Sequence, residues 1–274
     1  MGIGWERENR KHFDEFVTAY DLARPEYPDE LYADIWAFVG GHGDKRALEI
    51  GAGTGKATKV FLAAGYDVTA VEIGENMAGF LRERFQQYES FEVICDAFES
   101  VVTADASFDV IYAASAFHWV DAEIGCPKAF RLLRDGGALA LFRYNHVPAD
   151  GDELYEDIQD VYKEFFHRPY IRPVRISKEE CVKPLELVRG FRCKDLKEYG
   201  FVDVAMRFYD AKRTFTAEEY INYLDTMADH RSLPEGDRVA LYDGIKKAII
   251  GHGGSLTVDY VFQLYLGRKI TYAG

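Results

Sequence analysis

Short apolar runs alternate along the chain with longer segments in which apolar residues recur at helical spacing. The apolar runs predict strands at residues 46–50, 67–71, 91–95, 108–113 and 138–144. The longer segments predict helices that include residues 6–20, 56–64 and 122–133. Strands that alternate with helices are typical of a parallel sheet covered on both faces. The pattern therefore predicts an α/β fold with a doubly wound, mostly parallel sheet.

The alternation breaks between residues 150 and 200, where a helix-like stretch is followed by a basic segment interrupted by prolines. We interpret residues 150–200 as an inserted cap, and residues 1–40, with two predicted helices, as an N-terminal helical cover. Beyond the cap, strands are predicted at 202–209 and 257–266 and helices near 217–228 and 238–250. We expect residues 1–274 to form a single domain.

The first strand runs into a glycine-rich loop, ALEIGAGTG at residues 47–55, with glycines at three alternate positions. A phosphate-binding P-loop would need a hydroxyl residue in place of Ala57 and a glycine in place of Ile50. A dinucleotide fingerprint would need its third glycine in place of Lys56. The spacing fits a third ligand, S-adenosylmethionine (SAM).

A carboxylate stands at the end of each of the first three strands: Glu49, Glu72 and Asp96. Ligands of open α/β sheets bind outside the carboxyl ends of the strands. Three carboxylates there would repel the pyrophosphate of a dinucleotide. They suit a ligand with a sulfonium, an ammonium, ribose hydroxyls and an adenine amine, which are cationic groups or hydrogen-bond donors. The alternative for each acid alone is a helix cap or a solvated loop residue.

The runs ALEIGAGTG, AVEIGENM, CDAFE, FDVIYAASAFHWVD and DGGALALF resemble class I SAM-dependent methyltransferases over roughly residues 10–145. Within that family they are most similar to the small-molecule group that contains trans-aconitate methyltransferases. The resemblance implies a Rossmann-like sheet of seven strands, the last one antiparallel. It also implies transfer of a methyl group from SAM to a small-molecule acceptor, and S-adenosylhomocysteine (SAH) as the product.

The resemblance also implies the cofactor-binding residues. Gly51, Gly53 and Gly55 of the glycine loop would line the methionine part of SAM, and Glu49, Ala52 and Thr54 are further cofactor-binding candidates. Glu72 would accept from the ribose hydroxyls, with Ile73 and Met77 beside the adenine. Asp96 would accept from the adenine amine, next to Ala97 and Phe98. The strand that ends at Ala113 and Ser115 would offer carbonyls to the ammonium and sulfonium.

The acceptor side is less defined by the sequence. Candidate acceptor-binding residues are Tyr20, Arg24, His118, Trp119, Arg168 and Arg172. A carboxylate acceptor needs no base, whereas a hydroxyl, phenol or ammonium-derived amine does. Candidate bases are His118, Tyr144 and His146. The alternatives are that Trp119 begins the packing of the next helix, that Arg24 is a surface residue, and that the arginines of the cap are its solvated face. We expect a small organic acid as the acceptor.

Composition removes several classes of partner. The formal net charge is −13, from 33 Lys and Arg against 46 Asp and Glu, which disfavours nucleic acid as a substrate. No apolar run is long enough for a membrane span, and the charged N-terminus is unlike a secretory signal. The 4 cysteines lack metal-site spacing, which favours free thiols in a reducing compartment and no metal. We expect a cytoplasmic monomer or homodimer.

Three other functions stay open at this stage. A SAM- or SAH-binding module without catalysis would need the same glycines and acids. Methylation of a small amine or phenol would differ only on the acceptor side. A nicotinamide oxidoreductase is disfavoured by Lys56 in the glycine loop and by Asp96.

Overall fold

The computed structural model describes residues 17–41, 44–166 and 193–270. The strands are β1 (Arg46–Ile50), β2 (Asp67–Glu72), β3 (Phe91–Cys95), β4 (Phe108–Ala114), β5 (Leu133–Val147), β6 (Val202–Thr216) and β7 (Ser255–Arg268). The helices are α1 (Val17–Ala23), α2 (Asp29–Val39), α3 (Thr58–Ala63), α4 (Glu75–Arg84), α5 (Ala122–Leu132), α6 (Glu153–Phe165), α7 (Cys193–Glu198), α8 (Ala217–Leu224), α9 (Ala228–Arg231) and α10 (Glu235–Gly251). A 3₁₀ turn covers Phe117–Trp119.

The strands form a 7-stranded sheet in the order β3-β2-β1-β4-β5-β7-β6. The first five strands pair in parallel. β5 and β7 run antiparallel, with Gly136 N donating to Lys269 O at 2.8 Å and Lys269 N to Gly137 O at 2.9 Å. The order reverses at β1, which pairs with β2 on one side and β4 on the other. The α/β fold is therefore confirmed, and the glycine loop follows the strand at the switch point of the sheet.

The chain divides into two compact units. Among the described residues, the sheet unit comprises 26–41, 44–144, 193–209 and 262–270, and the helical unit comprises 17–25, 145–166 and 210–261. The helical unit contains α1, α6 and α8 to α10. The single domain, the N-terminal cover and the cap stay predictions, because residues 1–16 and 167–192 lie outside the described part of the chain.

The two faces of β1 explain why this strand is a continuous buried run. Leu48 and Ile50 belong to an apolar cluster that contains Cys126, Ala129 and Leu132 of α5. Glu49 points to the opposite face, where α2 and α3 supply aromatic side chains. There the ring of Phe61 stacks on that of Tyr112 with centroids 3.6 Å apart, and Trp36 packs on Phe61 at 4.7 Å. Helices cover both faces, so the strand cannot show polar alternation.

Three elements differ clearly from their predicted bounds. β5 covers Leu133–Val147, so it begins five residues before and ends three residues after the predicted 138–144. β6 continues seven residues past the predicted end at 209, because it lies at the edge of the described sheet and alternates exposed polar with half-buried residues. The single helix predicted at 217–228 is divided into α8 and α9. The Thr226 hydroxyl donates to Tyr223 O at 2.7 Å at this point, which is a local bond that competes with helical pairing.

A glycine pair in α10 tests the packing of the helical unit. A Cβ on Gly244 would stand 2.6 Å from Cγ1 of Val161 in α6, whereas a Cβ on Gly236 would meet nothing within 4 Å. We expect Gly244→Ala to lower the free energy of unfolding by about 1–2 kcal/mol, since overpacking outweighs the gain in helix propensity. Gly236→Ala should raise it by about 0.5 kcal/mol. Urea unfolding measures both, and stabilisation by both variants would contradict the close approach of α6 and α10.

Candidate functional site

The glycine loop has a backbone that other residues would adopt only with strain. Gly51, Gly53 and Gly55 have φ angles of +67°, +56° and +83°. A Cβ on Gly51 would stand 2.6 Å from the Cβ of Ala116, and one on Gly55 would stand 2.4 Å from the ring of Phe85. These glycines therefore permit both the left-handed turn and the close approach of the loop to its neighbours.

Glu72 joins the loops that follow β1 and β2. Its Oε2 accepts a hydrogen bond from Gly53 N at 2.7 Å, and its Oε1 accepts one from Gly74 N at 2.9 Å. The side chain is buried. An ionised carboxylate accepts hydrogen bonds and donates none, which suits it to hydroxyl and amide donors. The acid that the sequence assigned to the ribose thus lies directly against the glycine loop.

Asp96 stands at the same edge of the sheet. Its backbone N donates to Glu72 O at 3.1 Å, and its Oδ1 accepts from Ala97 N at 2.7 Å. The Asp96 side chain is exposed, whereas Phe98 is buried in the apolar core. Of the residues predicted to flank the adenine, Met77 is buried and Ile73 is half-buried. The parallel register of β1, β2 and β3 brings their three acids to one edge of the sheet.

Glu49 is a fully buried carboxyl group with one oxygen satisfied. Its Oε2 accepts from the Thr58 hydroxyl and from the Tyr112 hydroxyl, the latter at 2.9 Å. Its Oε1 is buried without a hydrogen-bond partner among the described residues, as is Oγ1 of Thr54 in the glycine loop. Burial raises the pKa of Glu49 to about 8, and the charge of Glu72 acts in the same direction, although the two hydroxyls oppose it.

The sequence missed the two partners of Glu49. Tyr112 lies opposite Glu49 in the register of β4 and β1, so the two side chains share a face. Thr58 begins α3, directly after the loop. Neither residue follows from motif spacing, because the register of β4 against β1 is set by packing across the sheet.

Lys56 has a structural role that separates this loop from a P-loop. Its Nζ lies 2.9 Å from Oε1 of Glu26, and Lys59 Nζ lies 2.9 Å from Oε2 of the same residue. Burial raises the pKa of Glu26, but the two lysines outweigh it and lower the pKa below its ordinary value. Lys56 therefore pairs with a carboxylate here, in agreement with the missing P-loop hydroxyl.

The end of β4 is closed by a tyrosine that the sequence did not single out. Tyr27 OH donates to Ser115 Oγ at 2.7 Å, and its ring packs edge-on against Phe142 with centroids 4.8 Å apart. Ser115 has a φ of +52°, a strained conformation for a residue with a Cβ, and its N donates to Phe142 O at 2.7 Å. Ala113 is buried in the strand before it. The segment near Arg24 was predicted as a cover, but Tyr27 carries this contact.

The remaining candidates fall into two groups. The sheet unit holds His118 and Trp119, half-buried in the 3₁₀ turn with ring centroids 5.1 Å apart. It also holds Tyr144, whose ring lies 5.7 Å from that of Phe262. The helical unit holds Tyr20, Arg24 and His146. Arg168 and Arg172 lie outside the described residues.

Tyr223 contacts His146 and Arg24, and Arg24 in turn contacts Tyr20. His146 Nε2 lies 2.6 Å from the Tyr223 hydroxyl. The Arg24 guanidinium lies over the rings of Tyr20 at 4.9 Å and Tyr223 at 5.4 Å, and its Nη2 donates to Thr226 O at 2.7 Å. Burial lowers the pKa of His146 to about 4, and the positive charge of Arg24 contributes. The imidazole is therefore neutral at pH 7.

Among the described residues, no three His, Cys, Asp or Glu side chains are grouped so that they could hold a metal ion. In the same part of the chain, no helix has the length and apolar character of a membrane span.

Residues 48–141 match the family model of the methyltransferase domain. They run from β1 into β5 and include the glycine loop, Glu72 and Asp96. Over these residues the chain is similar to that family. Its elements at the site are those that the sequence assigned to SAM.

Two curated relatives and one solved structure are similar to this chain. An uncharacterized methyltransferase of Mycobacterium tuberculosis is 36% identical over 135 residues, which are 49% of this chain and 53% of that protein. A malonyl-[acyl-carrier protein] O-methyltransferase of Pectobacterium atrosepticum is 29% identical over 110 residues, 39% of this chain and 41% of that protein. The chain thus spans about half the length of the curated relatives it matches. A protein of Anaeromyxobacter dehalogenans described as a type II methyltransferase superposes with a TM-score of 0.59 at 20% identity, covering 91% of this chain and 99% of that one, which shows the fold.

The buried carboxyl of Glu49 makes stability depend on pH. Its pKa is raised from 4.5 to about 8 in the folded protein, so its contribution is fully present below pH 4.5 and is lost as pH rises through 8. Between about pH 5 and about pH 8 we expect this group to remove about 3 kcal/mol of the free energy of unfolding. Glu49→Gln keeps an acceptor for Thr58 and Tyr112 but does not titrate. Its free energy of unfolding should therefore rise relative to that of the wild type as pH rises.

Denaturant unfolding at several pH values measures the difference between wild type and Glu49→Gln. The exposed carboxyl of Glu75 offers the matched control, Glu75→Gln. Parallel stability profiles for wild type and Glu49→Gln would contradict the raised pKa.

Proposed function

We propose that this protein is a class I SAM-dependent methyltransferase that transfers the methyl group of SAM to a small-molecule acceptor. The observation that carries the proposal is the cluster of acids at the carboxyl edge of the sheet, around a loop of left-handed glycines. Glu49 lies one residue before the end of β1, Glu72 is the last residue of β2, and Asp96 follows β3; the three strands are adjacent and parallel. The methyltransferase domain match covers all three residues.

The donors and acceptors of this edge fit the cofactor. Glu72, a carboxylate at the junction of the loops that follow β1 and β2, would receive the ribose hydroxyls. The exposed carboxylate of Asp96 would receive the adenine amine. The unpartnered Oε1 of Glu49 and Oγ1 of Thr54 would face the methionine part, where a buried polar atom needs a partner. Bound there, SAM supplies an electrophilic methyl group on a sulfonium.

The chain's own contribution to the reaction is to position the reactants and exclude water. Tyr27 and Ser115 would fix the end of β4, which carries the carbonyls assigned to the ammonium and sulfonium. The aromatic residues Phe142 and Phe262, both buried against Tyr27, would keep water from this end of the sheet.

A small carboxylic acid is the acceptor class that we favour. A carboxylate is a nucleophile without deprotonation, so the site needs no general base. One relative is named for O-methylation of a malonyl acyl-carrier protein. In the helical unit, the guanidinium of Arg24 is a fixed cation held by two aromatic rings and Thr226 O, and it would attract a carboxylate. The trans-aconitate group that the sequence resembles has acceptors of this kind.

Methylation of a small amine or phenol is the second candidate. The neutral imidazole of His146, hydrogen-bonded to Tyr223, would be able to accept a proton.

We also infer a cytoplasmic monomer or homodimer without a nucleic-acid partner, from the charge and cysteine content of the chain.

The cofactor assignment is tested by Glu72→Gln. The amide retains the size of the side chain but has only one acceptor oxygen, so a charge-assisted bond to the ribose is lost. We expect binding of SAH to weaken by about 1.5–3 kcal/mol in isothermal titration calorimetry. Glu75→Gln, an exposed change three residues away, should bind like the wild type. Tight binding of NADH by the wild type together with no binding of SAH would refute the proposal.

The acceptor class is tested with SAM carrying a labelled methyl group and a panel of small acids, phenols and amines. We expect base-labile methyl esters on acids. Arg24→Met should raise the KM for the acid about tenfold with little change in kcat, whereas Arg24→Lys, which keeps the charge, should stay within about threefold. Arg213→Met is the matched control, because Arg213 also donates to a carbonyl, that of Ala23, and stacks on an aromatic ring, that of Phe215.

The panel separates the alternatives. Labelling of amines or phenols alone would remove the acid acceptor and leave the methyltransferase. SAH binding without labelling of any acceptor would favour the non-catalytic SAM-binding module.

A further inference from the structure

A single helical turn follows the acid assigned to the adenine. Ser100 N donates to Ala97 O at 2.9 Å, and Val101 N donates to the same oxygen at 3.2 Å. The turn ends there, so the carbonyls of its later residues have no partner within it. Phe98 and Val101 are buried, which excludes much of the water that would otherwise satisfy them.

Lys128 of α5 supplies the missing donors. Its Nζ donates to Phe98 O at 2.6 Å, to Glu99 O at 3.1 Å and to Val101 O at 2.5 Å. The ammonium also lies 5.1 Å from the centre of the Phe98 ring. A lysine ammonium has three N–H donors, and all three are directed at this turn. Lysine near the end of a helical segment is a known way to satisfy its last carbonyls, but here the lysine comes from another helix.

The other end of the turn is tied to the acids of the site. Asp96 N donates to Glu72 O at 3.1 Å, and Ala97 N donates to the Asp96 carboxylate at 2.7 Å. The turn is thus fixed on one side by the backbone of Glu72 and on the other by Lys128. Burial lowers the pKa of Lys128, as does the charge of Arg131, whereas Glu99 and Asp96 raise it. The ammonium is therefore within electrostatic reach of Asp96 itself.

We propose that Lys128 is a positioning residue, which holds the turn 97–101 in place and thereby sets the affinity for the adenosyl part of the cofactor. This inference rests on the proposed function. Lys128 bonds three backbone carbonyls and leaves the methionine end of the site to the glycine loop and to β4. Its loss should consequently act on binding of the adenosine moiety and leave methyl transfer at saturating cofactor little changed.

Arginine cannot replace this lysine. Its planar guanidinium directs its donors in a fixed fork, whereas the three carbonyls converge on one point. Lys128→Arg keeps the charge and the long aliphatic stem, so it separates the effect of charge from the geometry of the three bonds. Lys128→Met keeps the stem and removes both.

The experiment compares these variants with Arg131→Met. Arg131 lies one turn further along the same helix, is half exposed, and forms an ion pair with the exposed Asp105. We expect Lys128→Met to weaken binding of SAH and of adenosine about 10- to 100-fold, and Lys128→Arg about 5- to 30-fold. The kcat at saturating SAM should stay within about threefold of the wild type for both. Arg131→Met should match the wild type in every measurement.

Hydrogen exchange reports on the turn without any ligand. The amides of Ser100 and Val101 should exchange faster in Lys128→Met and at the wild-type rate in Arg131→Met. If Lys128→Met does not fold, the same measurements on Lys128→Arg decide.

Two results overturn the assignment of Lys128: SAH affinity within about twofold of the wild type, or a loss of kcat as large as the loss of affinity. If the wild type fails to bind SAH, the proposed function fails instead, and the exchange data still show whether Lys128 holds the turn.

Discussion

The burial of one carboxyl group in the middle of the sheet is the constraint on which the site depends. Glu49 comes one residue before the end of β1 and is fully buried. Burying such a group is costly unless its oxygens are bonded, and among the described residues only Oε2 has partners, Thr58 and Tyr112. Those two bonds link β1 to the helix after the glycine loop and to β4. Glu49 therefore links β1, from which the glycine loop leaves, to α3, which follows the loop, and to β4.

The second connection runs through Glu72. Two backbone amides, from the glycine loop and from the start of α4, converge on its carboxylate. The backbone of the same residue accepts from Asp96 N and so reaches the third strand. Through Glu72 the loops after β1, β2 and β3 form one hydrogen-bonded edge. Lys128 extends that edge by a further step, since it holds the far end of the turn after Asp96.

The sequence predicts those parts of this arrangement that depend on residues close together in the chain. Three glycines at alternate positions predict the left-handed loop, and an acid at the end of each strand predicts the acidic edge, because parallel strands share the direction of their carboxyl ends. The strands β1 to β4 follow their predicted bounds closely for the same reason. The full length of β6 was not predicted, because an edge strand with polar residues does not show a continuous apolar run.

What the sequence could not predict are the contacts between distant residues. Tyr112 meets Glu49 across 63 positions, Tyr27 meets Ser115 across 88, and Lys128 meets Phe98 across 30. Each depends on the strand order or on how a helix packs on the sheet. No local sequence pattern distinguishes Lys128 from the other lysines. Its role becomes visible from the three carbonyl oxygens that surround its ammonium group.

Among the candidate residues, Glu49 and His146 have the most strongly shifted pKa values, and burial is the main cause for both. His146 and Glu49 are both driven toward their neutral forms by burial. The positive charge of Arg24 also lowers the pKa of His146, and a further positive charge nearby would lower it more. Glu49 has the negative Glu72 as its charged neighbour, and a cation beside it would shift the carboxyl toward the ionised form. A ligand that carries an ammonium and a sulfonium would therefore favour the ionised form of Glu49 beside Glu72. A dinucleotide pyrophosphate would disfavour it, which is the electrostatic reason that we expect this edge to suit SAM and not a dinucleotide.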